Sequence, residues 1–163
     1  HLQELARIAG FMHDIGNAVN RKNHAEYGAI LAETILRNTD LPLDDRVTVV
    51  SAIGHHDEST GGAKDAVSAA LIIADKTDVR RSRVRKEMKE FDIHNRVNYA
   101  AIKSRVIVNK EEKTLKLNLV IDTTICSIME YFEIFLSRMK LCEKAASFFG
   151  LTFKLVINDQ ELI

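Results

Sequence analysis

Several broad classes of function find little support in this sequence. No apolar run reaches the length of a transmembrane helix and no signal-peptide pattern is present, so no membrane partner and a cytoplasmic location are expected. Cys126 and Cys142 are the only cysteines, and both sit in an apolar helical pattern. That suits a reduced cytosolic protein rather than a disulfide scaffold. Net charge is missing as well. Lys plus Arg and Asp plus Glu each total 23, so no global field draws the chain to nucleic acid or to an anionic surface. There is no internal repeat and no low-complexity tract. The first residue is not Met and the chain opens in what reads as mid-helix, so a preceding segment is expected.

What is present is a chain of 163 residues, 46% apolar and 28% charged, enough to bury a core in one domain of ordinary size or in a domain with a small appendage. The first half reads as helices. Leu5, Ile8, Ala9 and Met12 form a helical stripe over Leu2 to Met12, which Gly16 is expected to end. Asn23 is a candidate N-cap with Glu26 at the third helical position, a capping-box pattern. That helix is predicted to run to about Arg37 and to bury Ala29, Ile30 and Leu36. Pro42 and Asp44 restart the chain, with Val47, Val50 and Ile53 recurring every three residues. Ser59 to Lys64 is a polar, Gly-rich loop. Ala66 to Ala74 is apolar almost all round, a helix buried on most sides. From Lys76 to Lys89 a heavily charged helix continues or restarts.

The character changes near Asn98. Ile102 to Val108 and Leu115 to Ile121 are β-branched and alternating around the polar turn Asn109 to Lys113, a hairpin signature. A long amphipathic helix is predicted from Thr124 to Phe149, with Ile125, Ile128, Met129, Phe132, Phe135, Met139 and Cys142 on one face. Gly150 would cap it, and Thr152 to Ile157 reads as a third strand. The expected fold is therefore mainly α: a helical domain over 1–97, then an α+β appendage over 98–163. A sheet this small is marginal alone, so a homodimer formed through its edge is expected.

Six side chains draw attention because each lies at or near a predicted helix end: His13, Asp14, His24, His55, His56 and Asp75. Imidazole suits ions such as Zn, Fe, Ni, Co and Mn, and carboxylates supply charge and can bridge two metals. Asp75 closes the run "AALIIAD", where a carboxylate is costly to bury unless it is paired or holds a metal. Adjacent residues such as His55 and His56 point roughly 100° apart on a helix, so both reach one centre only where the helix frays. Singly, each has an ordinary structural reading. A His-Asp pair can simply close a helix, and His1 or His94 can be surface residues.

Taken together, "LARIAGFMHDIG", "NHAEYGAILAETIL", "AIGHHDE" and "AALIIADK" resemble the HD-domain superfamily of metal-dependent phosphohydrolases, over about residues 2 to 80. The resemblance implies a helical bundle holding one or two divalent ions (Mn, Fe, Zn, Ni, Co or Mg). His13, Asp14 and Asp75 would hold the first. His24 with His55, His56 or both would hold the second, and Asp14 would bridge. It also implies hydrolysis of a phosphomonoester or phosphodiester, with a nucleotide the expected substrate, by metal-activated water. The set is similar to that of the HD-GYP proteins, but Asn17 stands where those typically carry lysine and the Gly-Tyr-Pro element is absent. The superfamily's opening histidine normally precedes the His-Asp pair by a few tens of residues. His1, about 18 Å from His13 along a continuous helix, substitutes for it poorly.

The run "DKTDVRRSRVRK" places Lys76 next to Asp75, with arginines beyond it. Lys76 and Arg80 are candidates for binding substrate phosphate, Arg through its bidentate fork. Asp14 and Lys76 are the candidates for direct catalytic contact. Arg83 and Arg85 read as a solvated face pairing with Glu87 and Glu90. Glu58 is a candidate proton carrier or a partner for a metal-bound histidine. Two other functions fit the same residues: a regulatory module that binds metal and nucleotide without turnover, and di-iron oxygenase chemistry.

Overall fold

Leu5, Ala9 and Met12, spaced by four and then three residues, are the buried face of α1 (Leu2–Met12), as the periodicity requires. The computed structural model describes residues 1–84 and 92–163. They form two units, His1–Asp75 and Lys76–Ile163.

The first unit contains α1, a 3-10 turn over Ile15–Ala18, α2 (His24–Leu36), α3 (Leu43–Gly54) and α4 (Ala66–Lys76, whose last residue begins the second unit). Its core joins Leu5, Ala9 and Met12 to Ala32 and Leu36 of α2, to Val49, Ala52 and Ile53 of α3, and to Val67 and Leu71 of α4. Burying such side chains stabilises by about 1.5–3 kcal/mol each for the larger ones. α2 departs from the expected face. Ile30 is exposed and Ala29 half-buried, while Ala25, Gly28 and Ala32 are buried with Leu36. Small residues let helices approach closely, and a reading weighted to large side chains passes over them. In α3 the buried residues are likewise Val49, Ala52 and Ile53, with Val47 exposed.

Two helix signals resolve differently from expectation. α1 ends at Met12, ahead of Gly16, and His13 keeps right-handed helical angles. Asn23 does occupy the N-cap of α2, but at φ 60° and ψ 29°, and its side chain makes no capping bond. The expected box with Glu26 needs an extended N-cap residue, and this left-handed one turns its side chain elsewhere. Ahead of α4, Asp65 Oδ1 accepts from the Ser68 N–H at 2.7 Å, while the Lys64 and Asp65 N–H groups donate to the Ser68 hydroxyl.

The second unit contains α5 (Ile93–Ala100), β1 (Ala101–Asn109), β2 (Thr114–Ile121), α6 (Ile128–Phe148), β3 (Thr152–Ile157) and β4 (Gln160–Glu161). The chain is thus mainly helical but not all α. The expected hairpin and third strand are present, within one mixed sheet of order β1-β2-β3-β4. β1 and β2 pair antiparallel, while β3 returns through α6 to pair parallel with β2. The register sets Leu115, Leu117 and Leu119 beside Phe153, Leu155 and Ile157, all buried, so one face of the sheet is continuous core. Asn158 and Asp159 both have positive φ and make the tight turn into β4.

α6 begins at Ile128, later than Thr124, because Asp122 binds Thr124 in a turn and Ser127 then caps the helix. Its buried face is Tyr131, Phe135, Met139, Cys142 and Ala146, and Met129 is 76% exposed. α5 packs with α6, where Arg96 meets Glu130, so the change of character at Asn98 falls inside this unit. The expected charged helix from Lys76 is not continuous. α4 stops there and Arg81–Arg83 form a 3-10 turn. Its remainder, with Arg85 and Glu87, lies outside the described residues, as does Glu90.

Candidate metal centre

Five of the six expected ligands converge in the first unit, each from a helix end. His13 follows α1 and Asp14 opens the 3-10 turn, His24 is the first residue of α2, His56 lies just beyond α3, and Asp75 is near the end of α4. His24 and His56 are buried, and the other three are half-buried. Two groups of ligand atoms lie within 4.8 Å of one another: His13, His56 and Asp75, and Asp14, His24 and His56.

Glycine sets this convergence. A Cβ on Gly16 would lie 2.0 Å from the His24 carbonyl oxygen and 2.5 Å from the Gly28 nitrogen. The 3-10 turn that carries Asp14 therefore seats directly on the backbone of α2, where His24 begins. On the opposite side of the centre, Gly61 N donates to Asp57 O at 2.7 Å and Gly62 N to His55 O at 3.0 Å. A Cβ on Gly61 would fall 2.2 and 2.3 Å from the carbonyl oxygens of His55 and Asp57. The polar loop thus folds back onto the segment that holds His56.

The histidines share one orientation. Nδ1 of His13 faces Gly10 O at 2.8 Å, that of His24 faces Arg21 O at 3.2 Å, and that of His56 faces Ile53 O at 2.6 Å. A carbonyl can only accept, so Nδ1 carries the proton in each, and Nε2 is left with a lone pair facing the centre. Nε2 of His13 is buried without a hydrogen bond. Its neighbours are Asp14 Oδ2 at 3.4 Å and Asp75 Oδ1 at 3.5 Å. Nε2 of His24 lies 3.2 Å from Nε2 of His56 and 3.5 Å from Asp14 Oδ1. The two oxygens of Asp14 therefore face different histidines. Burial opposes charge on His13, but Asp75, the Gly10 carbonyl and Asp14 outweigh it, and its pKa is raised.

His56 appears in both groups, yet one Nε2 lone pair binds one ion. Asp14, with two oxygens aimed apart, is the side chain that can join two sites. Asn17 steadies it, Nδ2 donating to Asp14 Oδ1 at 2.9 Å.

His55 belongs to neither group. Its Nδ1 turns back to Ser51 O at 2.9 Å, and its ring lines a groove with Ala29, Val47 and Val50. The chain leaves helical geometry only at His55 (φ −111°, ψ 14°), and His56, the next residue, is the one turned to the centre. His1 is bound to Asp45 at 2.8 Å and takes no part. Lys76 is buried at the end of α4, and Arg80 is paired with Asp78, which also holds Arg83. Glu58 is half-buried. One neighbour escaped the sequence reading: Asp57, whose Oδ2 lies 3.8 Å from His24 Nδ1. The only hint was its place directly after the two histidines.

An orphaned buried imidazole nitrogen, three Nε2 lone pairs and two carboxylates fit a divalent cation of the first transition row. A bundle of helices that gathers these side chains at their ends is an architecture suited to holding metal. The comparisons name the family: the HD domain matches residues 2–138, and the chain belongs to it. HD domains typically bind divalent metals and act as metal-dependent hydrolases. The chain is also similar to the uncharacterized protein MJ1020 of Methanocaldococcus jannaschii, 30% identical over 124 residues. That match covers 70% of this chain and 47% of the relative, so the chain spans about half the relative's length. No solved structure matches it. Among the described residues, no helix is long and apolar enough to cross a membrane.

Proposed function

We propose that this chain hydrolyses a phosphate ester, a phosphomonoester or phosphodiester of a nucleotide, at the centre formed by His13, Asp14, His24, His56 and Asp75. The observation that carries the reading is the placement of Asp14 between His13 and His24, one oxygen toward each. A divalent ion held there supplies a Lewis acid for a phosphoryl oxygen and lowers the pKa of water. The chain's own residues do the rest. His13 and Asp75 with His56, or His24 and Asp14 with His56, offer three protein ligands to an ion. An ion held by three such ligands would keep room for water and substrate, as catalytic sites do. Asn17 donates to Asp14 and steadies the carboxylate that would bridge two ions, and the Gly10, Arg21 and Ile53 carbonyls keep the three rings in one tautomer.

A part for Lys76 and Arg80 in binding phosphate rests on the sequence alone, Lys76 through its place directly after Asp75; in the structure Lys76 is buried and Arg80 is paired with Asp78. Dimerisation through the sheet is proposed as well, with β1 as the long edge strand. The test of function is hydrolysis of a nucleotide panel and a chromogenic phosphate ester by protein loaded in turn with Mn, Fe, Co, Ni, Zn and Mg. Product formation that is lost on chelation and restored by metal is expected. Full metal loading with no turnover on any substrate would leave the regulatory reading in its place.

A further inference from the structure

Beside the ligands lies a cavity of about 270 Å³, lined by Arg21, Lys22, Asn23, His24, Glu26, Asp57 and Ser59. His24 lines the cavity and is also a candidate ligand of the metal centre, so the two adjoin across its ring. Two cations and two carboxylates balance formally across the cavity. Asp57 is drawn to His24 at 3.8 Å, and Arg21 is a cation close to the ligands, its Nη1 3.8 Å from Asp14 Oδ1 and 3.2 Å from Asn17 Oδ1.

Arg21 is tied to the centre at both ends. Its carbonyl fixes the ring of His24 at 3.2 Å, while its side chain, 70% exposed, reaches across to Asp14. The backbone places it firmly: the Lys22 N–H donates to Asn20 Oδ1 at 3.0 Å, and Asn23 takes the left-handed turn into α2. One contact to Asn17 leaves most of the five guanidinium donors unused. The Lys22 ammonium makes no ion pair among the described residues.

We propose that Arg21, supported by Lys22, is the phosphate-recognition residue of this centre, and that its ligand is a small phosphomonoester. The inference rests on the phosphohydrolase reading for its ligand chemistry. A guanidinium fork binds two oxygens of one phosphate at once, and a monoester dianion carries twice the charge of a diester, so it gains more from the paired cations of Arg21 and Lys22. The volume points the same way. It falls just below the roughly 300–1,000 Å³ of common ligand pockets, room for a phosphate and a small alcohol rather than two joined nucleotides. Binding replaces the Asn17 contact of Arg21 with the phosphate, and Asn17 keeps its own bond to Asp14.

The test measures binding, apart from turnover. Protein loaded with Mn is titrated by calorimetry with inorganic phosphate, methyl phosphate and dimethyl phosphate, for the wild type and for Arg21→Ala, Arg21→Lys and Lys22→Ala. Metal content is counted in parallel. In Arg21→Ala the backbone carbonyl to His24 remains, so bound metal should be unchanged while methyl phosphate binding weakens at least about tenfold, the loss of one charge-assisted contact. Arg21→Lys should recover part of it, and Lys22→Ala should lose a few-fold. The dimethyl ester should bind weakly throughout. Unchanged methyl phosphate affinity in Arg21→Ala overturns the proposal. So does loss of metal in that variant, which would make Arg21 a support for Asp14. Phosphate binding that depends on Arg21 in a protein that hydrolyses nothing would sink the hydrolase reading and leave this one standing.

Discussion

Gly16 and His24 touch backbone to backbone, so closely that a methyl group on Gly16 would stand 2.0 Å from the His24 carbonyl oxygen. The contact brings the carboxylate of Asp14 and the ring of His24 to one place, because Asp14 lies two residues before Gly16 in the same turn. The neighbouring atoms are backbone and cannot swing aside. Gly16→Ala should therefore displace the turn from α2. The cost expected for overpacking is about 1–3 kcal/mol, accompanied by loss of bound metal. Thermal melts and elemental analysis of the variant check both. An alanine variant that keeps its melting temperature and its full metal content would show that the contact is not what assembles the centre.

The adjacent histidines should behave oppositely. His56 is fully buried with its Nε2 in both ligand groups, whereas His55 faces a groove outside them. His56→Ala should lower metal affinity by at least about a hundredfold, beyond the 10–100-fold typical of removing a supporting partner. His55→Ala should leave it within about twofold. Titration of a chelator against each loaded variant reads the difference. Equal losses would mean that both rings reach metal.

How far this centre was legible in the sequence depends on the residue. The ligand types and their places at helix ends could be read from "MHDIG", "NH", "HHDE" and "AD", since capping and apolar periodicity mark where helices stop. Which of two neighbouring histidines turns inward could not. That choice rests on the backbone angles of His55, set by the loop that Gly61 and Gly62 fold back onto it. Asp57 was passed over for the same reason, its approach to His24 being a product of that loop. The small-residue face of α2 was hidden because Ala25, Gly28 and Ala32 carry little hydrophobic signal. In the second unit the strands were plain from alternation, but the parallel pairing of β2 with β3 joins residues separated by the whole of α6. Local pattern holds no information on such a partner.

His13 couples the centre to pH in two opposing ways. Without metal, burial is outweighed by Asp75, the Gly10 carbonyl and Asp14, which hold its folded pKa above the ordinary histidine value, near 6.5. Its protonation therefore adds stability that is fully present below the unfolded pKa and is lost as pH rises through the folded one. Metal requires the neutral ring, so affinity runs the other way and grows across the same window. The chelated protein should lose melting temperature as pH rises above about 6.5, while the increment gained on adding metal should widen. Paired melts in chelator and in excess Mn at several pH values measure both slopes. An increment constant across that range would remove His13 from the ligand set.

The cap of α6 offers a test away from the metal. Ser127 Oγ accepts from the Glu130 N–H at 3.2 Å, and Glu130 Oε2 accepts from the Ser127 N–H at 2.7 Å, closing the box reciprocally. Ser127→Ala removes one half and should cost about 1 kcal/mol at neutral pH. The Ser127 N–H, then the Ser127 hydroxyl and Arg96, outweigh burial and hold the Glu130 carboxyl below its usual range. A depressed carboxylate pKa contributes stability above the unfolded value, near 4.3, and that contribution is lost as pH falls through the folded value. The gap between wild type and Ser127→Ala should accordingly narrow on acidification, whereas in a Glu130→Gln background, where no carboxylate titrates, it should stay constant. Urea unfolding at about pH 7 and about pH 3.5 for the four proteins decides it. A gap that is the same at both values in the Glu130 proteins would mean that the charge on Glu130 adds nothing to the cap.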